Sequence, residues 1–302
     1  MYLKMRISTS IKNFWDIDMT EFEKKISLAR NRIAEAEAIV VGAGAGLSAA
    51  AGLDYSGPAF KKEFADYISK YGFPDLYSSS FHEFPTEEER WARWARHIDY
   101  IRFRPGAMPL YKSLYSLVGE LNYFVITTNV DGQFRKAGFD SEKIFEVQGD
   151  YGQMQCAVGC HPKLYSDKTA VEDILKHSHD FTVDKEYVPV CPVCGGDMDV
   201  HVRKNQYFVQ DEAWYHAADR YEDFIRRYAE KGRVVLLELG IGYNTPAIIR
   251  FPFEQITYRN LEATLIRLNS DYPEGPAENS SRTIAFTENM EEVIKGLNNK
   301  SL

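Results

Sequence analysis

"AIVVGAGAGLSAAAG", residues 38–52, decides how the rest of the chain is read. Ala38 to Val41 make a short apolar strand, Gly42, Gly44 and Gly46 crowd the turn behind it, and Leu47 to Ala51 suits the start of a helix. Glycines at such a turn let backbone approach a pyrophosphate, whose charge the helix N-terminus favours. A tight strand-to-helix turn without a ligand is the plainer reading. The dehydrogenase fingerprint G-x-G-x-x-G is not met, because its last position falls on Leu47 counted from Gly42 and on Ala49 counted from Gly44. The acidic residue expected roughly 20 positions on should end a second strand. That region, "KKEFADYISKYG", is patterned as a helix, so hydride transfer fits poorly.

Outward from the turn, three more apolar runs look like buried parallel strands: "YFVITTN" (123–129), "RVVLLELG" (233–240) and "ATLIRLN" (263–269). "KIFEVQ" (143–148) reads as a shorter strand that runs into a polar turn carrying Gln148. Helical patterns lie between them. Phe22, Ile26, Ala29 and Ile33 share a face within about 17–36, and Trp91, Trp94, Ile98 and Ile101 form a stripe behind a Thr86/Glu89 capping-box pattern. A final helix is expected in "TENMEEVIKGLNN", after a loop at 271–281. Strand–helix alternation of this kind implies an α/β fold, with a parallel sheet covered on both faces and its ligand at the strands' C-terminal ends.

Bulk properties exclude several classes. The chain has 302 residues, 44% hydrophobic and 26% charged, which suits one large domain or two smaller ones with a sizeable core. A net charge of -8 gives no general attraction to nucleic acid or to an anionic membrane. Residues 1–20 hold no apolar core of signal-peptide length, and no apolar run reaches the roughly 18 residues of a membrane span. The cytoplasm is the expected location.

Segment 151–211 breaks the strand–helix rhythm and holds all four cysteines. Three residues separate Cys156 from Cys160, two separate Cys191 from Cys194, and thirty lie between the pairs. Two such knuckles can present four thiolates in the closed tetrahedron of a structural zinc site. His161, His177 and His179 lie nearby, so a mixed ligand set is the lesser alternative.

The order of these motifs resembles the sirtuins, NAD-consuming enzymes with a Rossmann-like large domain and a small zinc module. "GAGLSAAAGLDYS" looks like the family's first glycine motif, "TTNVDG" like its T-Q-N-I-D, and "LNSD" like the asparagine turn at the adenosine ribose; the similarity covers about residues 38–270. The resemblance implies a Rossmann-like NAD-binding domain from 1–150 and 212–302, with a helical insertion at 56–105 and a zinc-ribbon and helical module at 151–211. It also implies NAD as co-substrate and structural zinc. Gly44, Ala45, Gly46 and Ser48 would face the phosphates, and Tyr55 would cover the reacting carbon. Asn129 would orient ribose hydroxyls or a water, Asp131 would hold the nicotinamide carboxamide, Asn269 would meet the adenosine ribose, and Gln148, Gly240 and Gly242 would also contact the cofactor. Arg203 matches an arginine that follows the zinc module, and is expected in the cleft; a surface arginine paired with an acid is the rival reading.

The departures point to the chemistry. "EVQGD" puts Gln148 at the family's catalytic histidine, and "YFVQDE" (207–212) replaces the V-x-F-G-E segment that pairs with an acyl-lysine peptide. This combination resembles the macrodomain-linked class M sirtuins. For them the implied reaction is ADP-ribosylation of a lipoyl-bearing carrier related to the glycine-cleavage H protein, with a macrodomain protein as a further partner. A glutamine amide takes up no proton near neutral pH, whereas deacylation needs a general base worth on the order of 10²- to 10⁴-fold. Transfer of ADP-ribose to a protein nucleophile tolerates that loss, because positioning and electrostatics supply most of the barrier reduction. A NAD-dependent deacylase and a catalytically idle NAD sensor are the competing expectations.

Overall fold

The computed structural model describes residues 19–53 and 55–299. Residues 1–18, which carry most of the N-terminal stretch examined for a leader and the first residues of the expected helix at 17–36, lie outside the described residues, as does Asp54 of the first glycine motif.

Nine strands are present among the described residues. β1 (Ala38–Ala43), β2 (Tyr123–Thr127), β3 (Ile144–Glu146), β7 (Val234–Leu239), β8 (Thr264–Leu268) and β9 (Thr283–Phe286) form one sheet in the order β3-β2-β1-β7-β8-β9. Every pairing in it is parallel. β4 (Gly149–Cys156), β5 (Tyr165–Ser166) and β6 (Met198–Val202) form a second, antiparallel sheet in the order β5-β4-β6. The architecture is thus α/β with a six-stranded parallel sheet, and a small module of three strands, a helix at Lys168–His177 and the four cysteines is inserted between β3 and β7.

Alternation along β1 shows why the large sheet is doubly covered. Ile39, Val41 and Ala43 pack with the helices Glu21–Glu35, Pro109–Val118 and Met290–Asn298. Ala38 and Val40 pack on the other side with Glu212–Tyr228 and Arg250–Arg259. Successive strand side chains point to opposite faces, so a continuously apolar strand can serve both layers. The stripe Trp91, Trp94, Ile98 and Ile101 is fully buried in a third core, which the helix Glu87–Ile98 shares with Val171, Ile174, Met198 and Val200 of the small module. Each such side chain contributes up to about 1.5–3 kcal/mol.

Two helices begin at a Thr-x-x-Glu cap, the second of them the pattern expected from the sequence. Thr20 and Glu23 form a complete reciprocal box at the first helix. At the Trp-rich helix Thr86 accepts the Glu89 N–H at 3.2 Å, but the Glu89 carboxylate accepts from the Tyr71 hydroxyl at 2.7 Å instead of returning to the cap. A half-buried tyrosine hydroxyl needs an acceptor more than a cap exposed to water does. The expected loop at 271–281 ends in a 3-10 turn, Ala277–Arg282.

The strand order reverses at β1, with β2 on one side and β7 on the other, and ligands of such sheets bind outside the strand ends at that reversal. The turns that follow β1, β2, β3, β7 and β8 all open there and carry Gly44, Asn129, Asp131, Gln148, Gly240, Gly242 and Asn269.

Candidate functional site

Two adjoining cavities lie at these strand ends. The first, about 560 Å³, is lined by Gly44, Ala45 and Gly46 after β1, Gly240 and Gly242 after β7, and Asn269 after β8. The second, about 520 Å³, takes Ser48, Tyr55, Asn129, Asp131, Gln148 and Arg203 into its walls. Ala45, Thr128, Asn244 and Thr245 border both, so the two halves form one cleft. All twelve residues expected around a dinucleotide and its reaction centre therefore face this cleft, and the four cysteines stand apart from it.

The glycine turn works by backbone contact. A Cβ on Gly46 would lie 2.6 Å from the Gly240 Cα, and one on Gly240 would lie 2.5 Å from the Gly46 Cα. Gly44 N–H donates to Leu239 O at 3.1 Å and Gly46 N–H to Gly240 O at 3.0 Å. These two amides are spent on joining β1 to β7, and their glycines leave the floor of the cleft bare of side chains. The Ala45 N–H finds no backbone acceptor among the described residues, and Ala45 lines both halves of the cleft.

Asn129 donates from Nδ2 to Gly44 O at 2.9 Å, which ties the end of β2 to the glycine turn and leaves its carbonyl oxygen to the cavity. Asp131 is almost fully buried. It accepts from Ser48 Oγ at 2.6 Å and Tyr111 OH at 3.5 Å through one oxygen and from Gln133 N–H at 2.9 Å through the other. It therefore satisfies the first amide of the short helix Gln133–Lys136, whose N-cap is Gly132, and faces the cavity at once. Burial raises its pKa above the ordinary carboxyl value, with the Ser48 and Gln133 hydrogen bonds opposing. Asn269 donates to Ile241 O at 2.8 Å and accepts the Asp271 and Tyr272 N–H groups at 3.1 and 3.0 Å, so its side chain braces the rim of the first cavity.

Gln148 is half-buried in the turn between β3 and β4. Its carbonyl accepts the Arg203 N–H at 3.0 Å, which sets the two residues side by side, one just before β4 and the other just after β6. Arg203 stacks its guanidinium over Phe208 at 4.3 Å, and among the described residues it pairs with no carboxylate. No histidine lines the second cavity. His97 lies behind its wall, fully buried against Trp94 and Tyr151, and burial followed by the nearby Arg93 drives its pKa well below the usual value, so it stays neutral.

The replaced segment "YFVQDE" is occupied by its own protein. Gln155 donates from Nε2 to Tyr207 O at 2.7 Å and accepts the Val209 N–H at 2.9 Å, while His201 Nε2 meets Val209 O at 2.9 Å. Those backbone groups are no longer free to pair with an extended peptide.

The four cysteine sulfurs all lie within 4.8 Å of one another, with Cys156–Cys194 at 3.7 Å and Cys160–Cys191 at 3.6 Å. Zinc–sulfur bonds of about 2.3 Å in a tetrahedron would place sulfurs about 3.8 Å apart, so the set fits a zinc ion. Gly159 and Gly195, both in the left-handed region, close the two knuckles. His161 stands 3.4 Å from the Cys191 sulfur as its hydrogen-bond partner; His177 stacks on Tyr187, away from the four sulfurs. β4 begins next to Gln148 and ends at Cys156, so the knuckle anchors the far end of the strand that follows the Gln148 turn.

A buried charge network escaped the sequence reading. Glu238 of β7 and Arg267 of β8 are paired in register and joined at 2.8 Å, and Arg267 also reaches Glu254 at 2.8 Å. Arg250 donates to Tyr272 O at 3.1 Å and Glu274 O at 2.6 Å, holding the loop that edges the first cavity. The signal was present as a lone charge inside each of two apolar strands.

No protein-family model matches the chain. A protein ADP-ribosyltransferase of Staphylococcus aureus is 34% identical over 283 residues, 93% of this chain and 90% of that one. A probable bifunctional ADP-ribose hydrolase/ADP-ribosyltransferase of Fusarium oxysporum f. sp. cubense is 33% identical over 267 residues, 86% of this chain but 44% of the fungal protein. Among solved structures, a Sir2 homologue in complex with ADP-ribose matches with a TM-score of 0.57 at 17% identity, covering 93% of this chain and 95% of that one. Sir2Tm bound to a propionylated peptide matches with a TM-score of 0.57 at 19% identity, over 90% and 96%. These structures share the fold; the bacterial relative shares the sequence over nearly the whole length. The chain belongs to the protein ADP-ribosyltransferase family, built on the sirtuin fold.

Proposed function

We propose that the protein cleaves NAD, releases nicotinamide and transfers ADP-ribose to a side chain of a carrier protein, a lipoylated glycine-cleavage H-like protein being the first candidate. The observation that carries this reading is Gln148 beside Arg203 in a cavity wall without a histidine. In the transfer, the bond from ribose to nicotinamide breaks and nicotinamide leaves with the bonding pair. The acceptor's electron pair closes the new bond from the opposite side, and any acceptor proton passes to water. No residue has to remove a proton from ribose. The occupied backbone of Tyr207 to Val209 argues in the same direction, against an acylated peptide laid down as a strand.

In this reading the first cavity takes the adenosine and phosphates along Gly44, Ala45, Gly46, Gly240, Gly242 and Asn269. Ser48, expected at the phosphates, instead donates to Asp131 at 2.6 Å and acts through it; Asp131 holds the carboxamide, Asn129 orients the ribose, and Tyr55 covers the reacting carbon. Gln148 and Arg203 steady the incoming nucleophile. Cys156, Cys160, Cys191 and Cys194 hold a structural zinc in a unit spanning about 151–211, and residues 1–150 and 212–302 form the NAD-binding unit. Because the fungal relative is also named for ADP-ribose hydrolysis, and this chain spans 44% of it, a macrodomain protein that removes ADP-ribose is a natural partner. No helix among the described residues is long and apolar enough to cross a membrane, and a cytoplasmic location belongs to the same proposal.

The test incubates the protein with NAD and a lipoylated H-type carrier, with an acetylated peptide in parallel, and weighs both intact. A carrier gain of about 541 Da, the mass of one transferred ADP-ribose, with the peptide unchanged supports the reading. A deacetylated peptide with the carrier unchanged would return the enzyme to the deacylases.

A further inference from the structure

Arg102 stands outside every motif discussed so far. It lies in the π-helical turn Asp99–Phe103 that continues the Trp-rich helix. Its guanidinium forms a two-pronged pair with Asp150, Nε to Oδ1 at 2.7 Å and Nη2 to Oδ2 at 3.0 Å. Their side chains are 17% and 12% exposed, so water screens the pair weakly. Asp150 is the second residue after Gln148, and its Oδ1 also accepts the Gly152 N–H at 2.7 Å.

The same guanidinium presses against the other loop of the reaction cavity. Gly132 directly follows Asp131 and has φ +64; a Cβ there would lie 2.5 Å from the Arg102 Cζ. A Cβ on Gly152 would lie 3.2 Å from its Nε. One planar cation thus fills the gap between the Asn129–Gly132 loop and the Gln148–Gly152 segment, where the turn after β3 runs into β4, and both carry glycine where it passes. Its backbone carbonyl is held in turn by Lys136 Nζ. Tyr151 N–H donates to Val130 O at 2.9 Å, so the two loops also touch directly beside the guanidinium.

We propose that Arg102 is a positioning residue: wedged between the two loops and locked to Asp150, it fixes the distance from Asn129 and Asp131 to Gln148. Its effect on turnover rests on the ADP-ribosyl transfer reading above; its effect on the loops does not. A small displacement between reacting groups is costly to rate, whereas the first cavity, which lies beyond Arg102, keeps its hold on NAD.

The experiment compares Arg102→Ala, Arg102→Lys and Asp150→Asn with the wild type, with Arg104→Ala as control, since Arg104 pairs with Asp99 and Glu63 and is half-exposed. Nicotinamide release gives kcat and KM for NAD, and hydrogen exchange is followed at the Tyr151 and Gln133 amides. In Arg102→Ala, kcat should fall roughly 10- to 100-fold with KM within about twofold, Arg102→Lys should recover part of the loss, and Arg104→Ala should match wild type. The Tyr151 and Gln133 amides should exchange at least about tenfold faster while the strands of the large sheet keep their protection. Exchange unchanged at both amides, or raised equally throughout the protein, overturns the proposal, as does wild-type kcat. Should Arg102→Ala fail to fold, Asp150→Asn, which keeps the size of the side chain, is judged by the same criteria. If the wild type itself releases no nicotinamide, the transfer reading falls, and exchange alone decides on Arg102.

Discussion

Adding one methyl group at Gly46 should loosen the cleft from within. The new Cβ would meet backbone on the opposite loop, 2.6 Å from Gly240 Cα and 2.9 Å from Gly240 O, where ordinary contact begins at 3.4 Å. Backbone cannot swing aside as a side chain can, so the two turns must part by about 0.8 Å. The Gly46 N–H to Gly240 O bond, now 3.0 Å, would then lie outside hydrogen-bonding range. Overpacking costs about 1–3 kcal/mol and the lost bond about 0.5–1.5 kcal/mol. Replacing glycine inside the helix Ala45–Ala50 returns up to about 1 kcal/mol. The net is a loss of about 0.5–4.5 kcal/mol of stability. The displaced turn also forms the floor of the proposed phosphate site, so NAD affinity should fall roughly tenfold or more. Denaturant unfolding reads the first effect and calorimetric titration with NAD the second. Gly106→Ala is the control, because a Cβ there meets nothing within 4 Å. Gly46→Ala with stability and NAD affinity both equal to those of the control would refute the idea that backbone contact between β1 and β7 shapes this site.

Three further outcomes are expected. Asn129→Ala and Gln148→Ala should each reduce ADP-ribosyl transfer roughly 10- to 100-fold with little change in melting temperature, and unchanged transfer in either removes that residue from the reaction centre. Stripping metal with a chelator, or Cys191→Ser, should abolish an expected stoichiometry of about one zinc per chain and shift tryptophan fluorescence to the red, since Cys156 and Cys191 share a core with Trp91 and Trp94; tightly folded metal-free protein would contradict a structural zinc. Asp167 is fully buried, with burial and then Asp150 pushing its carboxyl up to about 8. The folded protein therefore holds a proton that the unfolded chain releases near pH 4, so stability should decline as pH rises from about 4 to 8. Asp167→Asn should flatten that decline by up to about 1.4 kcal/mol per pH unit, measured by denaturant unfolding across the range; an unaltered slope would exclude Asp167 as its source.

What could be read from the residues in order was whatever repeats or clusters within a few positions. Apolar runs ending in small or polar residues marked β1, β2, β7 and β8 because strand burial acts on neighbouring residues. The tryptophan stripe marked a core face for the same reason, and cysteines separated by two or three residues marked the knuckles a metal site needs. Motif order then brought Asn129, Asp131, Gln148 and Arg203 into view together. Tertiary structure alone decided which groups are solvated and which distant segments meet. The sequence cannot show that His97 is sealed behind Trp94 and held neutral, that Glu89 serves Tyr71 rather than its own cap, or that Asn269 is spent on bracing a loop. It cannot show that Arg102 meets Asp150, 48 positions away, or that the lone charges of β7 and β8 face each other in register. Hydrophobic period is a local property of the chain. Desolvation and charge pairing depend on what packs against a group, and that is determined only when the whole chain has folded.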